Sequence, residues 1–253
     1  MKWKLSPTDY LKGYEEELFS RFQAKIEGDE IIISRETTDS IDPQIEQNQA
    51  QEKIFNFLTS ISLAHKRIPF TCVPSGLEIE SGENSTLYAQ GIIGSYSVMR
   101  TDLDFILTNS DGEVIRDSKR ERMTHQKELY ELINKYGADK VALKILDSYN
   151  NALKHDEKSL LYLYEIREAL KNVFNGAVVT IKSLNLSSTE WDDFGHLTNK
   201  SSVRESRHNW KNLDLTHNIT DQDRNFAFTF GQTMIEKYLR YLQQEQKKTN
   251  SQN

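Results

Sequence analysis

Asp156-Glu-Lys-Ser-Leu-Leu-Tyr-Leu-Tyr-Glu-Ile-Arg-Glu-Ala-Leu-Lys-Asn-Val-Phe174 is the most strongly periodic stretch of the chain. Leu160, Leu163, Ile166, Leu170 and Val173 recur every three or four residues, the spacing of one face of an α-helix. Gly176 follows as the stop. An apolar stripe of this kind needs partners, and the flanking sequence supplies them. Upstream, Met123–Lys135 reads as a helix closed by a left-handed cap at Gly137, and Ala138–Leu153 reads as a second helix. Downstream, Ala177–Leu184 reads as a short helix. Ser187 and Glu190 form a capping box that opens a helix through Trp191, Phe194 and Leu197. Thr220 and Asp223 open a terminal helix whose stripe is Phe226, Phe230, Met234, Tyr238 and Tyr241. The polar tail from Gln243 is predicted to be disordered.

The front of the chain has a different rhythm. Phe22, Ala24 and Ile26 alternate with polar neighbours, Gly28 and Asp29 supply a turn, and Ile31, Ile32 and Ile33 return. Asp42 and Pro43 open one long helix, predicted to run to Lys66 with Ile54, Phe57, Leu58 and Ile61 on one stripe. Leu77 and Ile79 alternate with Glu78 and Glu80, and Thr86–Met99 reads as a long strand interrupted by glycines. Leu103, Phe105 and Leu107 form a further strand face, and Asp111 with Gly112 closes a hairpin onto Val114 and Ile115. The fold expected is α+β: an N-terminal antiparallel or mixed β-sheet of five or six strands with one long helix, then a C-terminal all-α helical bundle. The expected domains are residues 1–118 and 119–245, with 246–253 as the disordered tail.

Composition bounds the function. The 253 residues are 37% hydrophobic and 28% charged, with a mean hydropathy of −0.67. No run approaches the roughly 20 apolar residues that span a bilayer, and the lysines at the start precede no apolar stretch. The lone Cys72 can form neither an internal disulfide nor a cysteine-based zinc cage. A cytoplasmic location is therefore expected. Residues 1–118 carry 11 lysines and arginines against 20 acids, and residues 119–253 carry 21 against 18. Phosphate neutralisation supplies most non-specific nucleic-acid affinity, so RNA contact would fall in the back half.

The densest polar cluster there is Arg204, Glu205, Ser206, Arg207, His208 and Asn209, with His217 further on. Arginine holds phosphate bidentately and histidine moves a proton near neutral pH. The same side chains could equally pin a loop to the terminal helix. Residues 177–200 have helix-turn-helix spacing, but Glu190, Asp192 and Asp193 on the second helix would repel phosphates. DNA binding is accordingly not expected, and a structural helical hairpin with Trp191 and Phe194 in the core is. Asp102, Asp104 and Glu113 lack the lysine that a magnesium-dependent nuclease strand carries, so no metal site and no cofactor are expected. His65, His125 and His155 stand alone near helix ends.

Tyr162, Glu165, Glu168, Leu170, Phe174, Gly176, Leu184, Ser187, Trp191, Leu197, Asn199, Arg207 and His208, in that order before the closing Tyr238, Tyr241 and Leu242, carry a resemblance. Residues 155–243 resemble the helical domain of the HEPN superfamily in its Apea-like branch. The resemblance implies a helical bundle in a bacterial stress or phage-defence setting, either a binding protein or a metal-independent ribonuclease. In the ribonuclease case Arg204 and Arg207 would hold phosphate and His208 would act as acid or base. Three residues separate Arg204 from His208, fewer than the nuclease members carry. The reading adopted is a non-catalytic interaction or regulatory protein, with a protein partner or self-association; ribonuclease is the alternative and a helix-turn-helix DNA-binding protein the second alternative.

Overall fold

The computed structural model describes residues 2–6, 23–27, 30–34, 43–64, 71–81, 84–88, 106–108, 113–199 and 219–252. By contact the chain divides into residues 1–58 with 70–120, and residues 59–69 with 121–253.

In the first unit, β1 (Lys2–Ser6) pairs antiparallel with both β3 (Glu30–Ser34) and β4 (Thr71–Ser81). β2 (Gln23–Glu27) pairs with β3 across a two-residue connection, with Glu27 opposite Glu30. β5 (Asn84–Tyr88) lies against the second half of β4. β6 (Ile106–Thr108) and β7 (Val114–Asp117) form a separate two-stranded pairing. α1 (Pro43–Ala64) buries Ile54, Phe57 and Leu58 along its first-unit portion.

This corrects the expected fold class. Across residues 43–64, 106–108, 113–199 and 219–252 the chain is 86% helical, and the β6–β7 pairing is the one sheet in that part. The fold is mostly helical, not a substantial N-terminal sheet beside a bundle. Alternation in the front half overstated the sheet because several alternating stretches yield strands of only three to five residues. The long α1, by contrast, carries its buried stripe on through Ile61 and Leu63. The strand readings at 89–105 lie outside the described residues.

The second unit is a helical bundle. α2 (Ser118–Tyr136), mostly in this unit, starts where the Arg120 backbone N–H donates to Asp117 Oδ1 at 3.0 Å. α3 (Lys140–Lys154) is capped by Asp139, whose Oδ1 accepts from the Val141 and Ala142 backbone N–H groups. A short 3₁₀ turn at Asp156–Lys158 leads to α4 (Ser159–Val173), the central helix, which packs against α3, α6 and α7. Its Leu160, Leu163, Ile166 and Leu170 are fully buried, whereas Val173 is partly exposed.

α4 ends on Asn175 at φ 55° and Gly176 at φ 141°. The Gly176 N–H bonds to Lys171 O and that of Asn175 to Asn172 O, which satisfies the last carbonyls. α5 (Ala177–Ser183) stops in the same way on Asn185 at φ 48°. Gly137 has no positive φ, so the left-handed cap expected there falls instead on the two asparagines and Gly176.

α6 (Ser188–Asn199) begins with the Glu190 N–H donating to Ser187 Oγ. α7 (Asp221–Gln252) begins with the Asp223 N–H donating to Thr220 Oγ1 at 3.1 Å. Its Phe230, Met234 and Tyr238 are buried, and Phe226 and Tyr241 partly so. The expectation of disorder from residue 246 is also corrected, because α7 continues to Gln252. Gln, Glu and Lys are good helix formers, and Glu245 bonds both Lys248 Nζ at 2.7 Å and Thr249 Oγ1.

Among the described residues no helix is long and apolar enough to cross a membrane.

Candidate functional site

Arg204, Arg207 and His208, the residues the sequence nominated for phosphate chemistry, lie outside the described residues, as do His65, Asp102, Asp104 and His217. Glu113 is exposed. Among the described residues no group of three or more metal-ligating side chains comes together. What the structure does place is the polar furniture of the helical unit. Part of it joins one helix to another.

The deepest knot ties the end of α1 to α3 and α7. Gln232 Nε2 donates to Tyr149 Oη at 2.8 Å and to the Ser62 carbonyl at 3.2 Å, and the Tyr149 hydroxyl donates to the same carbonyl at 3.4 Å. All three residues are buried. Nearby, Gln126 Nε2 donates to Ser60 Oγ at 3.3 Å and Asn150 Nδ2 to Thr59 Oγ1 at 3.4 Å. Buried polar groups left unpaired are costly, so such a set fixes the register of the helices that carry it.

A second set runs along α2 and α7. His125 Nε2 meets Glu236 Oε2 at 3.0 Å, Arg240 Nε donates to Glu236 Oε1 at 2.9 Å, and Arg240 Nη2 reaches Glu128 at 3.0 Å. Burial opposes ionisation of Glu236, but the hydrogen bonds and charges of Arg240 and His125 outweigh it and hold its carboxyl below the usual range. The Tyr238 hydroxyl donates to Asp139 Oδ1 at 3.1 Å. Burial, with the adjacent carboxylate, keeps its proton on well above the ordinary phenol range. His155, at the end of α3, lies against the Tyr162 ring at 5.9 Å. These histidines and carboxylates join helices.

Several of the described residues that carry the resemblance pack within the helical unit. Glu165 accepts from Ser148 Oγ at 3.0 Å, Phe174 meets the Tyr241 ring edge-on at 5.1 Å, and Trp191 and Phe194 are fully buried. The aromatics of α6 pack into the bundle, Phe194 against the Phe230 ring of α7 at 5.4 Å and Trp191 beside Arg167 of α4, and Glu190, Asp192 and Asp193 face outward.

Sequence reading missed two features. Arg167 lies with its guanidinium carbon 4.6 Å from the Trp191 ring centroid, and a Cβ at Gly195 would meet Arg167 Nη2 at 2.9 Å and Nε at 3.2 Å. The signal was an isolated glycine inside a helical pattern, which marks close packing. On α5, Val178 is 80% exposed and Val179 49% exposed, while Thr180 is buried and donates its hydroxyl to the Gly176 carbonyl at 2.7 Å. Ala177 and Ile181 also pack against the core, so the two valines are the apolar residues of α5 that face the surroundings.

Comparison with protein-family models, with curated proteins and with solved structures returns no match.

Proposed function

We propose that this chain is a non-catalytic interaction protein of the bacterial cytoplasm, in which the helical unit docks a protein partner through α5. The observation that carries this reading is the outer face of α5: Val178 and Val179 are exposed side by side, while Ala177, Thr180 and Ile181 face the core. Exposed apolar side chains that cluster are a mark of interaction surfaces. Leu143 on α3 is also exposed. Ser148 on α3 meets Glu165 on α4, so in this antiparallel pair Leu143 sits at the same end as the start of α5. The buried polar contacts of Gln232, Tyr149 and Gln126 between helices support a scaffold that presents a surface. The resemblance to the HEPN superfamily adds the stress or phage-defence setting and the binding role of many of its members.

A photoreactive side chain placed at 178, with one at the exposed Glu190 as control, tests the reading in cells that express the protein. A discrete protein adduct is expected at 178, to a second copy or to another chain, and not at 190. An identical outcome at both positions contradicts it.

A further inference from the structure

We propose that the Arg167 Nε–H and the Trp191 indole N–H together bind one small oxyanion, a phosphate or a carboxylate group, in the seam between α4 and α6. Both donors are buried and have no hydrogen-bond acceptor among the described residues. Such orphans are rare in folded proteins, and each costs about 1–3 kcal/mol. Here two of them sit on the two partners of a single cation–π contact, with the guanidinium carbon 4.6 Å from the indole centroid. A pair that close can share one acceptor.

Charge says which acceptor. Glu168 Oε1 takes a hydrogen bond from Arg167 Nη1 at 3.2 Å, and the same carboxylate takes Lys171 Nζ at 3.2 Å. One anion thus serves two cations, and among the described residues the Nε side of the guanidinium has no counter-charge. A negatively charged oxygen completes the side-on fork that arginine offers to carboxylate and phosphate.

Shape allows it. Gly195 lets the guanidinium lie directly on α6, because the Nε, Cζ and Nη2 atoms stand 2.9–3.2 Å from where a Cβ would be. Side-chain exposure rises from Trp191 at 0% through Arg167 at 16% and Glu168 at 26% to Lys171 at 40%. Arg167 thus stands between the buried indole and the more exposed Glu168 and Lys171. Asn199 Oδ1 is another buried orphan on the same face of α6. Eight residues beyond Trp191 it stands about 12 Å along the axis, too far to touch the same oxygen. The inference rests on these contacts and not on the valines of α5.

Proton–nitrogen correlation spectra of the labelled full chain read both donors directly, with the Trp191 indole assigned by Trp191→Phe. Inorganic phosphate and acetate are titrated separately, with chloride at matched ionic strength as control. The Trp191 indole and Arg167 Nε signals are expected to move together and saturably with one or both oxyanions, and the effective one identifies the class. Trp191→Phe, read at Arg167, should bind at least about tenfold more weakly, the worth of one charge-assisted hydrogen bond. Arg167→Lys keeps the charge but removes the fork, and should abolish the shift at Trp191. Three results overturn the proposal: no saturable shift with either oxyanion, an equal shift with chloride, or a Trp191→Phe variant that binds as tightly as the wild type. The first two also leave water as the acceptor.

Discussion

Arg167 is held between two groups of α6 one helical turn apart, the Trp191 ring at 4.6 Å and the backbone at Gly195. This contact makes the α4–α6 spacing depend on the absence of one methyl group. A Cβ within 3 Å of a guanidinium nitrogen forces the arginine to move, and the arginine is largely buried.

Gly195→Ala is therefore expected to destabilise the protein by about 1–3 kcal/mol despite the better helix propensity of alanine, the range for overpacking. Urea unfolding measures it. An unchanged or raised midpoint would show that Arg167 yields without cost.

The knot of Gln232, Tyr149 and the Ser62 carbonyl gives a second expectation. Gln232→Ala removes the donor to both oxygens and leaves space, so a loss of about 2–3 kcal/mol is expected. Tyr149→Phe keeps the ring and leaves Gln232 one acceptor, so about 1 kcal/mol is expected. Thermal unfolding that ranks the two in the opposite order would contradict the assigned bonding.

Much of this was legible in advance, and the failures have physical causes. The stripe Leu160, Leu163, Ile166 and Leu170 named its own buried face, since period and burial coincide there. Ser187 and Thr220 marked helix starts through short-range hydrogen bonds that spacing alone encodes. Val173 broke the pattern because the stripe ends where the helix does. The weight of helix over strand was misjudged, because alternation counts strand residues without saying how long each strand lasts. β1 at Lys2–Ser6 went unread, as its strand character arises from pairing with two distant segments. Arg167 could not be read as buried, because a charged residue flanked by an apolar stripe and Glu168 resembles a solvated one until Trp191 and Gly195 are placed beside it. Arg204, Arg207 and His208 stay expectations of the sequence.

Acid should act through Glu236. Its carboxyl is held below the usual range in the folded state, so the unfolded chain takes up its proton first as pH falls. The stabilisation is present above the ordinary glutamate range and is lost as pH drops through the folded value. Glu236→Gln should lower stability at pH 7 by on the order of 1 kcal/mol and make the decline below about pH 5 shallower. An unaltered pH profile in the variant would remove Glu236 from the acid response.

Val178→Lys should leave the unfolding midpoint within about 0.5 kcal/mol of the wild type, as an exposed position does, and should abolish the adducts expected at α5. Loss of folding instead would mean that the valine is part of the core.

The most direct test of a binding role is incubation of the purified chain with structured RNA, with and without EDTA, beside His208→Ala. Intact RNA in every lane is the predicted result. Cleavage that survives EDTA and disappears in His208→Ala would contradict the account and make the protein a metal-independent ribonuclease.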